Sequence, residues 1–362
     1  MASSVKVVLF EDTAQTRSDI LAALRTHLEP RGSVIAFDSD QFSGPSSERD
    51  RMYEDRLASI LNAMPYEGAT LLVADRDLSK SRNFAGLSVN AVTAAAKRLA
   101  LPIASYAREP EQDDYEWRGR WEEEHIVLSF SEGEDELARR AALAACGFAE
   151  LAAELPEVLA QKANDSPAKM LAALLSKPEY SEKIALYSVG DQNRLLEALA
   201  HGRQLELRVE RMTRFLGYWL WDSLLRYPGL LANEVAAASH LNLETAGFRQ
   251  PEVRAVFAEA LYSGPFADPK KPQWWRGMLD DIVSREDCAD GLELVRKTVD
   301  PTIRCSQCYV DASKQAGYYC IISRLPVSLE NSKGGLSWFP RGADLTRIGK
   351  PKFEEYAPWF GA

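Results

Sequence analysis

The chain has 362 residues, 46% of them hydrophobic and 27% charged, and its formal net charge is −10. This composition is typical of a folded globular protein and excludes a disordered one, and the length indicates about two or three domains. Because the charge is strongly negative and no long run of Lys or Arg occurs, the sequence does not indicate binding to nucleic acid.

Neither export nor membrane insertion is indicated. The first apolar run, Val5 to Phe10, is interrupted by Lys6 and is too short for a signal peptide. No stretch reaches the roughly 18 apolar residues that a membrane span needs. The five cysteines are an odd number in a large chain without export features, which predicts free thiols or metal ligands and a cytoplasmic location.

The first 155 residues alternate between strand-like and helix-like segments. Predicted strands cover residues 5–10, 33–37, 69–74, 102–105 and 125–130, and predicted helices cover residues 16–28, 46–64, 89–99 and 134–155. Regular alternation with nearly continuous apolar strands predicts a five-stranded parallel sheet covered by helices on both faces, a doubly wound α/β fold.

Beyond about residue 155 the pattern changes to helices without strands. Predicted helices cover residues 168–176, 194–201, 205–225, 230–241, 252–261 and 274–283. From Cys305 onward the character changes again, with a predicted strand over residues 318–323 and a glycine-rich loop over 331–342. The sequence therefore predicts three domains: an α/β domain over 1–155, a mainly helical domain over 156–300, and a small cysteine-containing α+β segment over 301–362.

Three carboxylates follow or end predicted strands of the α/β domain. Glu11 and Asp12 come directly after the first strand, and Asp75 ends the third. Parallel sheets place their ligands at the carboxyl ends of the strands, and carboxylate oxygens are the ligands that Mg²⁺ prefers. The sequence thus predicts a magnesium site formed by these three residues.

These features resemble bacterial response-regulator receiver domains, which have a flavodoxin-like fold, over about residues 4–145. Glu11 and Asp12 match the acidic pair of that family, and residues 71–79 match its third strand and the following loop. Residues 84–87 resemble its turn into the third helix, and residues 101–103 resemble the start of its fourth strand. The resemblance implies that Asp75 stands at the phospho-acceptor position beside Mg²⁺.

The sequence departs from the family at the residues that switch. Where the family has Thr or Ser followed by Ala, Ser105-Tyr106-Ala107 places Tyr106 at the switch position, or Ser105 if the register moves by one residue. Where the family has Lys-Pro, this chain has Leu128-Ser129. Losing one transition-state charge contact costs on the order of 10²-fold in rate. Residues 109–124 have no counterpart in the family, so the resemblance is to a degenerate, pseudo-receiver form.

The cysteines near the end of the chain suggest a second metal. Cys305 and Cys308 have the spacing of a zinc knuckle, and Cys288 and Cys320 are the candidates for the remaining ligands of a structural zinc ion. Buried thiols without a metal are the alternative.

Three functions follow as hypotheses. The favoured one is a non-catalytic signalling or regulatory protein, in which the degenerate receiver docks with a protein partner or dimerises and the helical region is the effector. The second is a response regulator in which a histidine kinase phosphorylates Asp75. The third is an enzyme or zinc-binding module in the C-terminal region. A homodimer is implied by the resemblance, because the face of the fourth helix is a common pairing surface in the family.

Overall fold

A computed structural model of the chain describes residues 5–43, 53–78, 87–107, 125–161, 166–188 and 205–360. The chain divides into two compact units. The first is built from residues within 1–176 and 191–219, and the second from residues within 177–190 and 220–362. None of the helices in the described ranges combines the length and apolar character needed to cross a bilayer.

The first unit is organised around one parallel sheet. Its strands are β1 (Val5–Phe10), β2 (Gly32–Ala36), β3 (Leu71–Asp75), β4 (Ile103–Ala107) and β5 (Ile126–Ser129). All neighbouring pairs are parallel, in the order β2-β1-β3-β4-β5. Every residue of the central strand β3 is buried, as expected for a strand covered on both faces. The predicted five-stranded parallel sheet is therefore confirmed.

Helices accompany this sheet in chain order. Up to residue 219 they are α1 (Ala14–Leu28), α2 (Asp40–Ser43), α3 (Tyr53–Leu61), α4 (Val89–Arg98), α5 (Gly133–Ala160), α6 (Pro167–Leu174), α7 (Ser181–Ala185) and α8 (Leu205–Trp219). Helix α7 belongs to the second unit and the others to the first. Helix α1 packs on α5, and α3 packs on α4. One core joins Val8 of β1 and Leu72 of β3 to Leu57 of α3 and Val92 of α4.

Helix α8 belongs to the first unit, although the predicted helix over residues 205–225 continues past it into the second unit. The Tyr218 hydroxyl accepts a hydrogen bond from the Ile103 N–H at 2.6 Å and donates to the Ile103 carbonyl at 3.2 Å. Gly217 packs so closely on α5 that an added Cβ would lie 2.1 Å from the Phe148 ring. Because Ile103 begins β4, α8 lies at the amino edge of the sheet.

The second unit is helix-rich with small sheets. Its strands are β6 (Leu231–Asn233), β7 (Gln273–Trp275), β8 (Tyr318–Cys320), β9 (Leu325–Val327), β10 (Ser332–Lys333) and β11 (Thr346–Gly349). Its further helices are α9 (Glu234–His240), α10 (Thr245–Phe248), α11 (Pro251–Val256), α12 (Arg276–Arg285), α13 (Gly291–Thr298) and α14 (Lys350–Phe360), and a π-helical segment covers Leu220–Leu224. Strands β10-β11-β8-β9 form one sheet, and β6 pairs with β7.

The pair β6 and β7 corrects the expectation of helices without strands. The predicted helices over 230–241 and 274–283 each begin with a short antiparallel strand, in which Leu231 pairs with Trp275 and Asn233 pairs with Gln273. Three-residue strands are too short to show a two-residue period in the sequence. Trp274 is nevertheless core, since its ring meets the Phe248 ring edge-on at 4.9 Å.

Candidate functional site

Three carboxylates meet at the carboxyl edge of the parallel sheet. Glu11 and Asp12 directly follow β1, and Asp75 ends the neighbouring strand β3, with Phe10 paired to Ala74. One oxygen from each of the three residues lies within 4.8 Å of the others, and their exposed fractions are 0%, 7% and 2%. The structure thus brings together the three residues that the sequence proposed as magnesium ligands.

Hydrogen bonds orient all three carboxylates, and Asp12 Oδ1 accepts one from the Thr13 hydroxyl at 3.3 Å. The Glu11 side chain accepts from the Thr13 N–H at 2.7 Å and from the Tyr106 hydroxyl at 2.6 Å. Asp75 Oδ1 accepts from the Asp77 N–H at 3.0 Å. These donors are neutral, and a cation bound between the three carboxylates would reduce the repulsion among them. The set of hard oxygen donors fits Mg²⁺, whose two opposite ligands are about 4 Å apart.

Tyr106 is the residue beside Asp75 on the next strand. The register of β3 and β4 pairs Asp75 with Tyr106 and Ala74 with Ser105. The Tyr106 side chain is fully buried, its hydroxyl reaches Glu11, and its ring stacks on Phe130 with centroids 5.9 Å apart. Of the two residues proposed for the switch position, Tyr106 is the one that reaches the acidic pocket.

Ser105 lies on the opposite face of β4, because successive side chains of a strand alternate. Its hydroxyl is 2.5 Å from His125 Nε2 and accepts from Arg76 Nε at 3.2 Å. Sequence inspection did not find this contact or the Tyr106–Glu11 hydrogen bond. Both depend on the pairing register of β4 with its neighbours, which no local pattern in the chain reveals.

The end of β5 carries no cation toward the pocket. Leu128 pairs with Tyr106 and is buried, and Ser129 pairs with Ala107. The Ser129 hydroxyl is 2.7 Å from the Ser131 hydroxyl. The end of β5 therefore presents an apolar side chain and a neutral hydroxyl.

Several sequence features lie outside the described residues. These are Ser79 after β3, residues 84–86 of the turn that resembles the family, the insertion over 109–124, and the predicted helix over 194–201.

The four cysteines proposed as zinc ligands occupy different surroundings in the second unit. Cys308 and Cys320 are buried in one small cluster with Val327, Cys305 is exposed, and Cys288 is partly exposed with its thiol 3.4 Å from the Glu286 carbonyl. Among the described residues, three or more potential metal ligands bring their donor atoms close together at Glu11, Asp12 and Asp75 of the first unit, and not at the cysteines. The structure therefore does not gather the four cysteines around one point.

Cys308 has an unusual electrostatic environment for a buried thiol. Burial raises its pKa, but hydrogen bonds from the backbone of Ser328 and Asp311, from the Ser328 hydroxyl and from the backbone of Val310 lower it by more. The pKa of Cys308 therefore lies below its ordinary value. Donors directed at a sulfur atom favour its thiolate form.

Comparison with protein-family models and with curated proteins gives no match for this chain. The resemblance of the acidic pocket to that of receiver domains therefore stays a prediction.

Proposed function

We propose that the chain is a non-catalytic signalling or regulatory protein whose first unit is a degenerate receiver domain that does not switch by phosphorylation. The observation that carries this proposal is the position of Tyr106. It pairs with Asp75 in the sheet, and its buried hydroxyl is bound to Glu11 at 2.6 Å.

A switch needs a hydroxyl that can move when a phosphoryl group arrives. Tyr106 is held by the hydrogen bond to a carboxylate and by the stacked Phe130 ring. A hydrogen bond to a charged group contributes about 1.5–3 kcal/mol, so releasing Tyr106 is costly. The supporting argument is therefore that the residue at the switch position is fixed.

The fifth strand supports the same proposal. Phosphoryl transfer depends on positive groups that neutralise the developing charge. Leu128 and Ser129 stand where the receiver family has its lysine. A phosphoryl group on Asp75 would therefore lack the ion pair that stabilises it in the family.

The pocket retains the residues for a divalent cation. Glu11, Asp12 and Asp75 would hold Mg²⁺, which would neutralise their mutual repulsion and stabilise the edge of the sheet. In this proposal the cation stabilises the fold of the module.

A module that does not switch presents the same binding surface at all times. We therefore propose that the first unit docks with a protein partner or a second copy of the chain, and that the second unit is the effector. The helix that would follow β4 falls within residues 108–124, outside the described ranges. Sedimentation velocity of the full chain over a concentration series tests pairing directly. We expect a dimer. A monomer at every concentration would contradict pairing with a second copy and would favour docking with a different protein.

The decisive experiment is Mg²⁺-dependent phosphorylation by acetyl phosphate, read by intact mass. Wild type and Asp75→Ala are compared, with an active receiver domain in the same reaction as the positive control. No added phosphate is expected on either form of this chain. A phosphate on wild type that is absent from Asp75→Ala would overturn the proposal and establish a working response regulator.

A further inference from the structure

A half-buried arginine lies near one edge of the four-stranded sheet in the second unit. Arg347 belongs to β11, which pairs with the edge strand β10 so that Lys333 lies opposite Ile348. The Arg347 Nε donates to the Ser332 hydroxyl at 2.6 Å, and its Nη2 donates to the Ser332 carbonyl at 3.3 Å. Its guanidinium carbon is 5.0 Å from the centroid of the Tyr318 ring of β8. The guanidinium group is therefore held in one place by β10 and by a ring of β8.

This guanidinium group has no carboxylate partner among the described residues. The side chains that contact it, Ser332 and Tyr318, are both uncharged. Two of its five N–H groups form these hydrogen bonds, and the other three, including both on Nη1, are left for another acceptor. Burial lowers the pKa of Arg347, and the opposing effect comes from the Tyr318 side chain. Because a partly buried charge is costly without a counter-charge, an anion beside Arg347 would be stabilising.

The loop that follows β10 brings main-chain donors close to the guanidinium group. A Cβ at position 334 would lie 2.7 Å from Arg347 Nη1, so a side chain there would displace the guanidinium group. Gly335 has a φ of 66°, and an added Cβ would meet no atom within 4 Å, so the loop faces open space at this point. Within the described part of the chain, the N–H groups of Gly334 and Gly335 have no hydrogen-bond acceptor.

The register of β10 and β11 indicates where the Gly334 N–H points. In an antiparallel pair, hydrogen-bonded residue pairs alternate with pairs that are not hydrogen-bonded. The Lys350 N–H donates to the Asn331 carbonyl at 2.9 Å, so the next hydrogen-bonded residue of β10 is Lys333. Gly334 and Ser332 therefore direct their main-chain groups away from β11. Since the Ser332 carbonyl on that side accepts from Arg347, the side-chain and main-chain donors lie along the same edge of the sheet.

We propose that Arg347 and the Gly334–Gly335 loop bind a phosphate group, either of inorganic phosphate or of a small phosphate monoester. The donors come from a guanidinium group and from the main chain, and not from one planar group alone. Such a combination suits the several oxygens of a tetrahedral phosphate better than a planar carboxylate. Lys333 and Lys350 are exposed on the same pair of segments and add positive charge around the site. This inference is independent of the acidic pocket in the first unit.

Arg341 provides a matched control for the test, because it is an exposed arginine just before β11 without an ion pair among the described residues. Full-length wild type, R347Q and R341Q are dialysed to equilibrium against radiolabelled inorganic phosphate at constant ionic strength. Mg²⁺ is omitted, so that the acidic pocket does not contribute. Wild type and R341Q are expected to bind one equivalent. R347Q should bind at least about tenfold more weakly, because it loses charge-assisted hydrogen bonds.

Competition with O-phosphoserine and with acetate identifies the ligand. O-Phosphoserine that displaces the label more effectively than unlabelled phosphate would indicate a monoester, and the reverse order would indicate free phosphate. Acetate should displace the label poorly. Acetate that competes as well as phosphate would overturn the assignment to a phosphate group.

Thermal unfolding gives a second readout and a second variant in case R347Q does not fold. Phosphate is expected to raise the melting temperature of wild type and R341Q, since a ligand stabilises the state that binds it, and to leave R347Q unchanged. Gly334→Ala, which displaces the guanidinium group, should weaken phosphate binding in the same way as R347Q. Equal binding by wild type and either variant, or no binding of phosphate and O-phosphoserine by wild type, would overturn the proposal.

Discussion

The hydroxyl of Tyr106 and the carboxylate of Glu11 form a buried, charge-assisted hydrogen bond at 2.6 Å. Tyr106→Phe leaves the Glu11 oxygen without this donor while keeping the ring on Phe130. We expect the free energy of unfolding to fall by about 1–3 kcal/mol, the usual cost of an unsatisfied buried acceptor. Equilibrium urea unfolding measures the loss.

Tyr53→Phe is the control for that substitution, because Tyr53 is 59% exposed. Its effect should stay within about 0.5 kcal/mol, as for most surface changes. Equal stability of Tyr106→Phe and wild type would show that the hydrogen bond to Glu11 does not fix the tyrosine.

Asp75 is one of three buried carboxylates whose oxygens converge. Asp75→Asn removes one negative charge but keeps an oxygen that accepts from the Asp77 N–H. In metal-free buffer we therefore expect the variant to melt at a higher temperature than wild type, because repulsion is reduced. Mg²⁺ should raise the melting temperature of wild type more than that of the variant, since a ligand stabilises the state that binds it.

The exposed residue Asp19, which contacts only Gln15 among the described hydrogen bonds, provides the matched control. Asp19→Asn should leave both the melting temperature and its response to Mg²⁺ nearly unchanged. A lower melting temperature for Asp75→Asn in metal-free buffer would contradict the expected repulsion.

Among the secondary-structure elements, α8 contacts the sheet through the Tyr218 hydroxyl. Tyr218 satisfies both backbone groups of Ile103, and the Phe148 ring of α5 meets it edge-on at 5.5 Å. Tyr218→Phe leaves the N–H and carbonyl of Ile103 without these partners and should cost about 1–3 kcal/mol. Urea unfolding against the Tyr53→Phe control measures the loss, and an unchanged stability would mean that α8 is held by packing alone.

The sequence predicts a helix or strand well when the residues that determine it lie within one short stretch of the chain. Strands β1 and β3 are predictable because nearly all of their residues are apolar, with Lys6 the exception in β1 and Asp75 ending β3, and the carboxylates at their ends then follow from the parallel topology. The sequence accordingly locates all three acidic residues of the pocket. Strands β6 and β7 have three residues each and pair across about forty positions, so no local period marks them.

The rest of both candidate sites depends on contacts between distant segments. The role of Tyr106 follows from its register opposite Asp75, and the surroundings of Arg347 follow from the approach of Gly334. The Cys305–Cys308 spacing is visible in the sequence, yet the structure buries Cys308 with Cys320 and leaves Cys305 exposed. Spacing alone cannot indicate which thiols share an interior.

At the scale of the whole molecule, the compact units interleave along the chain. Residues 205–219 belong to the first unit, although residues 177–188, which precede them in the chain, belong to the second. The sequence instead predicts an α/β domain that ends at residue 155. The two divisions differ in whether α6 and α8 are needed for the parallel sheet to fold.

A pair of fragments decides between these divisions. Residues 1–219 retain α8 and its hydrogen bonds to Ile103, whereas residues 1–155 lose them and also cut α5 five residues before its end at Ala160. Truncation at residue 155 removes α8, whose Gly217 packs against Phe148, and therefore exposes that side of α5.

We expect fragment 1–219 to unfold cooperatively on heating and to respond to Mg²⁺ as the full chain does. Fragment 1–155 should lack a cooperative transition, because burial of apolar surface is the main stabilising term in a domain of this size. A cooperative, Mg²⁺-responsive transition in fragment 1–155 would instead show that the α/β domain is complete at residue 155 and that α8 is an addition to it.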